Sequence, residues 1–163
     1  MSFAQVFFEE CSRSLGFLVD ERGWREVQRE RTSVSAEVVY LKRGIALEVV
    51  LDWRDFDISA YISLWERAQG VWRVDKSGYI VRRRLEEIAD RSWFFREEVS
   101  LLYMPAKLAK QAQKTRDLGL CRQWFRSELS VLGRVIHDWE EEILTRAQAY
   151  LGVPAGSDEL DRF

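Results

Sequence analysis

Histidine and cysteine, which often carry metal and redox chemistry, are scarce in this sequence of 163 residues. The two cysteines, Cys11 and Cys121, lie far apart in segments with helical patterns, which favours reduced thiols in the core of a cytoplasmic protein over a disulfide framework. The single histidine, His137, has Glu140 and Glu141 one helical turn away, so a metal ligand or a general base is one interpretation. We favour the other, a surface histidine paired with glutamate.

Long apolar runs and common catalytic motifs are also missing. No run approaches the roughly 20 apolar residues of a membrane-spanning helix, and residues 1–8 lack the basic start of a secretory signal peptide. The sequence contains no glycine-rich phosphate loop and no GxSxG, CxxC or HExxH motif. We therefore expect a soluble cytoplasmic protein that is not an enzyme and has no cofactor, no metal and no membrane partner.

The chain is long enough for one domain with a core. Hydrophobic residues make up 47% of the sequence and charged residues 32%, which excludes a wholly disordered chain. We expect one domain over residues 1–152 and a short acidic tail over residues 153–163. The middle of the chain is basic and both flanks are acidic. These charges either pair inside the fold or mark a face for a charged partner, and linear order does not decide between the two.

Three runs of alternating side chains predict an antiparallel β-meander. They cover residues 38–42, 45–53 and 56–64. If Arg43 and Gly44 form a two-residue turn between the first two runs, they fix which side chains share a face. One face is then apolar and carries Val38, Tyr40, Ile45, Leu47 and Val49. The other is mixed and carries Val39, Leu41, Ala46, Glu48, Val50, Asp52, Asp57, Ser59, Tyr61 and Ser63. If the loop is longer than these two residues, the side chains of the first run lie on the opposite faces.

Other segments add to this sheet or precede it. Residues 2–15 have the spacing of an amphipathic helix, which we expect Gly16 to end. Residues 24–31 are polar on both sides, which predicts an edge strand, because charge at an edge opposes pairing with other molecules. Residues 71–74 predict a further strand, followed by a turn at residues 75–78.

Helical spacing dominates the rest of the chain. Val81, Leu85 and Ile88 predict a helix that includes the arginines at 82–84, and Pro105 suits the first turn of a helix that runs to about residue 115. The longest pattern is one apolar stripe formed by Phe125, Leu129, Leu132, Ile136, Trp139, Ile143, Ala147 and Tyr150. The predicted fold is α+β: an N-terminal helix, an antiparallel meander of about four to five strands, and three to four C-terminal helices packed on the sheet.

Three aspartates, Asp52, Asp55 and Asp57, cluster between two of the predicted strands. Such a cluster resembles a carboxylate site for a hard cation. Aspartate is also favoured in turns, where its side chain bonds to the local backbone, and this is the interpretation that we favour.

A basic segment over residues 82–126 predicts an alternative function in nucleic-acid binding, because arginine and lysine alternate there with aromatic residues. Its basic members are Arg82, Arg83, Arg84, Lys107, Lys110, Lys114, Arg116, Arg122 and Arg126, and its aromatic members are Trp93, Phe94, Phe95 and Trp124. The competing interpretation is a set of solvated helical faces, which neighbouring glutamates and a pI of about 5.6 support.

The first 65 or so residues, with SLGFLVDERGW followed by VVYLKRGIALEVVLDWRDFDISAYISL, resemble in layout the small cytosolic immunity proteins of bacterial polymorphic toxin systems. The resemblance implies a non-catalytic protein that neutralises a toxin domain by direct binding. The candidate partner-binding residues are then the acidic turn of Asp52, Asp55 and Asp57, together with Glu48 and, on the same mixed face, Tyr61. Charge complementarity with a basic cleft favours fast encounter. The oligomeric state is left open.

Overall fold

The computed structural model describes residues 1–66, 71–72, 82–90, 93 and 104–151. The predicted turn at 75–78, the pair Phe94 and Phe95, and the tail at 153–163 lie outside these residues. The elements in chain order are α1 (Phe3–Asp20), β1 (Arg25–Arg31), β2 (Ser35–Lys42), β3 (Ile45–Asp52), β4 (Asp57–Glu66), β5 (Val71–Trp72), β6 (Arg82–Arg84), α2 (Leu85–Ile88), α3 (Met104–Thr115) and α4 (Leu118–Leu151).

The strands form one antiparallel sheet in the order β1-β2-β3-β4-β5, with β6 also paired to β4. Arg43 and Gly44 form the predicted two-residue turn, with φ of 50° and 72°, because Lys42 pairs directly with Ile45. Tyr40 therefore lies opposite Leu47 on what we call the first face of the sheet. The α+β fold class and the register that the sequence predicted are both confirmed.

Strand β1 lies at the edge of the sheet, as predicted. Six of its seven residues are exposed, and its pairing with β2 shifts register between Glu26 and Gln28. A charged strand with an irregular register is a poor template for pairing with another chain.

Helices α1 and α4 cover the first face and supply most of the core. Phe7 of α1 meets Phe125 of α4 edge to face, with ring centroids 6.0 Å apart. The two free cysteines, Cys11 of α1 and Cys121 of α4, are both buried, and burial raises the pKa of both thiols. Within the described ranges, no helix combines the length and the apolar composition that crossing a membrane requires.

Helix α1 does not end at Gly16, contrary to the sequence prediction, but continues to Asp20. Leu18 is fully buried and extends the apolar stripe of the helix by one turn beyond Leu15. The chain leaves the helix through Gly23, which has a φ of 73° that glycine adopts without strain. Burial of Leu18 thus outweighs the low helix propensity of glycine.

The arginines at 82–84 are also placed differently from the prediction. They form β6, antiparallel to β4, and helix α2 contains only the four residues that follow. Leu85 and Ile88 are buried, as their spacing predicted. The sheet edge overrides helix propensity here because it offers the three arginines backbone hydrogen bonds. Helix α3 begins and ends close to the predicted bounds.

Helix α4 buries six of the eight predicted stripe residues: Phe125, Leu129, Leu132, Ile136, Ile143 and Ala147. The helix is interrupted at Trp139, whose φ and ψ are −127° and 20°. Trp139 is only partly buried and stacks on Trp93, with ring centroids 4.5 Å apart. Beyond this kink the buried positions include Glu140 and Leu144, so Tyr150 falls outside the stripe and is 62% exposed.

Helices α1 and α4 cross closely at Gly133. A Cβ atom added at Gly133 would lie 3.0 Å from the backbone oxygen of Ser14, whereas one added at Gly16 would meet only a side-chain oxygen, 4.0 Å away. We expect Gly16→Ala to stabilise the protein by about 0.5–1 kcal/mol through helix propensity. Gly133→Ala should destabilise it by about 1–3 kcal/mol, since backbone must move to relieve the overlap.

Urea denaturation of the two variants beside the unmutated protein measures both changes. Stabilisation by both substitutions would show that α1 can withdraw from α4 at no cost, and that the crossing does not constrain the fold.

Candidate functional site

The structure brings four of the five predicted partner-binding residues to the second face of the sheet, opposite α1 and α4. Asp52 lies directly across from Asp57, and Glu48 directly across from Tyr61. Asp55 lies in the exposed turn between β3 and β4. Antiparallel neighbours in register point to the same side, so these residues share one surface.

The aspartate turn has the local chemistry that the turn interpretation requires. The carboxylate of Asp52 accepts hydrogen bonds from the backbone N–H of Arg54 at 2.9 Å and from its guanidinium at 2.7 Å. The bonds from the Arg54 side chain lower the pKa of Asp52 to about 2. Asp57 accepts a hydrogen bond from the Ser59 hydroxyl and remains exposed, as does Asp55. In the part of the chain that the structure describes, no group of three or more His, Cys, Asp or Glu side chains is placed to hold a metal ion.

Glu48 is buried, with 1% of its side chain exposed. Its Oε1 atom is 3.3 Å from the Arg82 guanidinium of β6. No hydrogen-bond donor of the described residues reaches its Oε2 atom. A carboxylate oxygen buried without a donor is costly, so this atom calls for an explanation in its surroundings.

The carboxyl group of Glu37, on β2, lies on the same side of the sheet, since Glu37 pairs with Val50 and Glu48 pairs with Val39. Burial, followed by a hydrogen bond with Glu48 and repulsion from its charge, raises the pKa of Glu37 to about 7.

Glu37 and Glu48 belong to a larger acidic surface that crosses four strands. Glu30 of β1 lies directly across from Glu37, and Gln28 bonds to both carboxylates, at 3.0 Å and 3.4 Å. We define the acidic face as Glu30, Glu37, Glu48, Asp52 and Asp57.

Sequence reasoning missed Glu30 and Glu37. Glu37 precedes Val39 by two residues, so the period-two alternation already placed it on the mixed face. Glu30 was out of reach, because the irregular register between β1 and β2 carries no sequence signal.

Arg82 links the acidic face to the predicted basic segment. Its guanidinium lies 4.1 Å from the centroid of the Tyr61 ring, and that of Arg84 lies 5.9 Å away. Arg83, paired with Ile62, points to the first face. The three arginines therefore do not form one row, and Arg82 is already engaged by Glu48 and Tyr61.

Among the other basic residues of the segment, some form ion pairs and some are exposed. Arg122 and Arg126 bind the fully buried Glu10, at 3.1 Å and 3.0 Å. Burial alone would raise the pKa of Glu10, but these hydrogen bonds bring it below its usual value. Lys107, Lys110 and Lys114 are exposed along one side of α3. Among the described members of the segment, Arg82, Arg122 and Arg126 thus form ion pairs with glutamates, whereas the three lysines of α3 are exposed.

His137 lies at the surface, as favoured, but its partner is an aspartate, and the two glutamates one helical turn away bind other groups. His137 is exposed, with Nδ1 3.0 Å from Asp138, and Glu141 pairs with Arg43. Glu140 faces the interior, where its carboxylate accepts hydrogen bonds from Trp24 and Lys42.

Two surface depressions of about 630 and 330 Å³ lie beside α1. The larger depression lies between α1 and the end of β1, and the smaller one is lined in part by Trp53, Arg31 and Arg116. Neither is lined by a residue of the acidic face. The predicted partner-binding residues on the sheet therefore come together on the acidic face and not in either depression.

The raised pKa of Glu37 predicts how stability depends on pH. The folded pKa of Glu37, about 7, lies above its ordinary value of 4.5, so between these pH values the folded chain binds more protons than the unfolded chain. The contribution of this group to the free energy of unfolding therefore falls as pH rises through that window. Glu37→Gln keeps a donor for Glu48 and should raise the urea midpoint relative to the unmutated protein at pH 8.5, with the difference vanishing near pH 4.

Glu142→Gln, which changes an exposed carboxylate on α4, is the matched control and should give the same difference at both pH values. An equal effect of Glu37→Gln at pH 4 and pH 8.5 would show that the pKa of Glu37 is not raised in the folded protein.

Comparison with known proteins adds no family assignment: no protein-family model, no curated protein and no solved structure matches this chain.

Proposed function

We propose that this chain is a non-catalytic protein-binding module of the immunity type, which neutralises a bacterial toxin domain by binding it directly. The observation that carries the proposal is the acidic face, five carboxyl groups gathered on one side of the sheet beside Tyr61. Its natural partner is a protein surface with positive charge, such as the cleft of an enzyme that acts on a phosphate-bearing substrate.

The exposed carboxylates of the surface suit the first stage of such binding. Asp55, Asp57 and Glu30 are exposed, while Asp52 and Glu37 are partly buried. Exposed charge steers a partner of opposite sign and raises the association rate constant well above the value of about 10⁵–10⁶ M⁻¹s⁻¹ for neutral partners. Tyr61, partly buried at the border of the same face, is of the residue type enriched in protein interfaces.

The role of Glu48 changes in this proposal. With 1% of its side chain exposed, it offers almost no surface to a partner. It acts instead through Glu37 and Arg82, which it holds by hydrogen bonding, while the turn aspartates and Glu37 are the groups that a partner can reach.

Co-expression with the protein encoded by the neighbouring gene tests the proposal. We expect a complex of 1:1 stoichiometry by light scattering, and relief of the growth arrest that the neighbouring protein causes when expressed alone. The triple variant Asp52→Asn, Asp55→Asn, Asp57→Asn should lower the association rate constant by about tenfold at low salt, because it removes the steering charge.

The matched control is Glu21→Gln, Glu141→Gln, Glu142→Gln, which removes three exposed carboxylates from other surfaces. Equal slowing by both triple variants would assign the effect to net charge rather than to the acidic face. If the neighbouring protein is harmless and forms no complex, the immunity function is wrong.

The alternative, nucleic-acid binding, depends on the exposed lysine row of α3 at residues 107, 110 and 114. Binding to RNA or DNA that weakens steeply with salt, and that is lost on replacing these lysines with alanine, would support that alternative.

A further inference from the structure

The smaller depression beside α1 gathers positive charge. Its walls come from the first turn of α1, the end of β1, Trp53 after β3 and the connection between α3 and α4. Among the described residues that line it, Arg31 and Arg116 are the charged side chains and none is acidic. Its volume of about 330 Å³ lies at the lower end of the range of roughly 300–1,000 Å³ that is typical of ligand pockets.

Neither arginine has a carboxylate partner in the part of the chain that the structure describes. Asp117, next to Arg116, instead caps α4 by accepting a hydrogen bond from the backbone N–H of Leu120 at 2.9 Å. Glu30, next to Arg31, points to the opposite face of the sheet. Other arginines do form ion pairs with glutamate or aspartate: Arg22, Arg29, Arg54, Arg82, Arg122 and Arg126.

Aromatic rings, rather than a counter-ion, hold the guanidinium of Arg116. It lies 6.0 Å from the centroid of the Phe3 ring and 5.8 Å from that of Phe56. Such contacts do not neutralise the charge, so the N–H groups can still donate to an anion. Arg116 and Phe56 both have a left-handed backbone, with φ of 53° and 55°. Strain of this kind, in residues other than glycine, clusters at ligand-binding sites.

Trp53 gives the depression an aromatic wall. Its Nε1–H donates to the backbone oxygen of Ser33 at 3.0 Å, which fixes the orientation of the indole, and the residue is only partly buried. A fixed indole that solvent reaches offers a planar ring a surface on which to stack.

We infer that the smaller depression binds a phosphate monoester that carries a planar ring, such as a nucleoside 5′-monophosphate. The phosphate contacts Arg31 and Arg116, and the ring stacks on Trp53. A phosphate monoester carries a charge of about −1.5 to −2 at pH 7, which matches two guanidinium groups. The planar guanidinium fork also fits the geometry of phosphate oxygens. The inference is independent of the immunity function, because no residue of the acidic face lines this depression.

Titration calorimetry of the full chain with adenosine 5′-monophosphate, adenosine and inorganic phosphate tests the site. We expect one equivalent of the nucleotide to bind about tenfold or more tightly than either of its parts, because the parts act together only when they are linked. Its affinity should fall as salt rises, since both guanidinium groups are exposed. Adenosine that binds as tightly as the nucleotide, or a nucleotide Kd weaker than about 1 mM, would overturn the inference.

Substitutions then assign the contacts. Arg31→Gln and Arg116→Gln should each weaken nucleotide binding by about tenfold, because each removes a charged hydrogen-bond donor. Trp53→Leu should weaken binding of the nucleotide by about tenfold and change the affinity for inorganic phosphate by less than about twofold. The matched control is Arg25→Gln, which removes an exposed arginine from the same strand as Arg31 but outside the depression. Equal weakening by Arg25→Gln and Arg31→Gln would overturn the site, since net charge would then explain the effect.

Amide chemical shifts of the unmutated protein give a readout that does not depend on the stability of any variant. Saturating nucleotide should move most strongly the signals of residues 2–4, 31–33, 53 and 116, which line the depression or adjoin it. Largest shifts at Lys107 and Lys110 would place the nucleotide on the exposed side of α3 and would overturn the site.

Discussion

The close crossing of α1 and α4 over the first face of the sheet is the constraint on which the rest of the structure depends. Gly133 lets the backbone of α4 approach that of α1 at Ser14, and the aromatic contact of Phe7 with Phe125 lies in the same interface. The first face is apolar along β2, β3 and β4 and needs both helices to remove it from water.

Buried glutamates bind basic residues from distant parts of the chain. Glu10 of the acidic N-terminal part holds Arg122 and Arg126, and Glu140 of the acidic C-terminal part receives Lys42 and faces Arg22 at 3.6 Å. Each of these carboxylates has several donors, which buried charge requires if it is not to destabilise the fold. Among the described residues, Glu48 has one cationic partner, Arg82, and an acidic neighbour, Glu37.

The raised pKa of Glu37 bears on stability. A group whose ionisation is costly in the free protein lowers stability at neutral and alkaline pH. Stability alone therefore does not favour such a residue at this position. Functional surfaces often hold such groups, because a ligand that relieves the cost gains the corresponding binding energy. Arg82 reaches Glu48 from β6 and lies over Tyr61, so the position of β6 bears on the charge balance of the whole acidic face.

The sequence alone determined the α+β class, the meander with its turn at Arg43 and Gly44, the edge strand and most of the α4 stripe, because periodicity and glycine placement are local properties of a chain. It also placed Glu48, Asp52, Asp57 and Tyr61 on one mixed face. Only the tertiary structure decided that α1 continues past Gly16, that residues 82–84 extend the sheet, and that Trp139 breaks α4, since burial and strand pairing outweigh local propensity at each of these positions. The contact of Arg82 with Glu48 likewise joins β6 to β3, which are distant in sequence, and no local pattern encodes it.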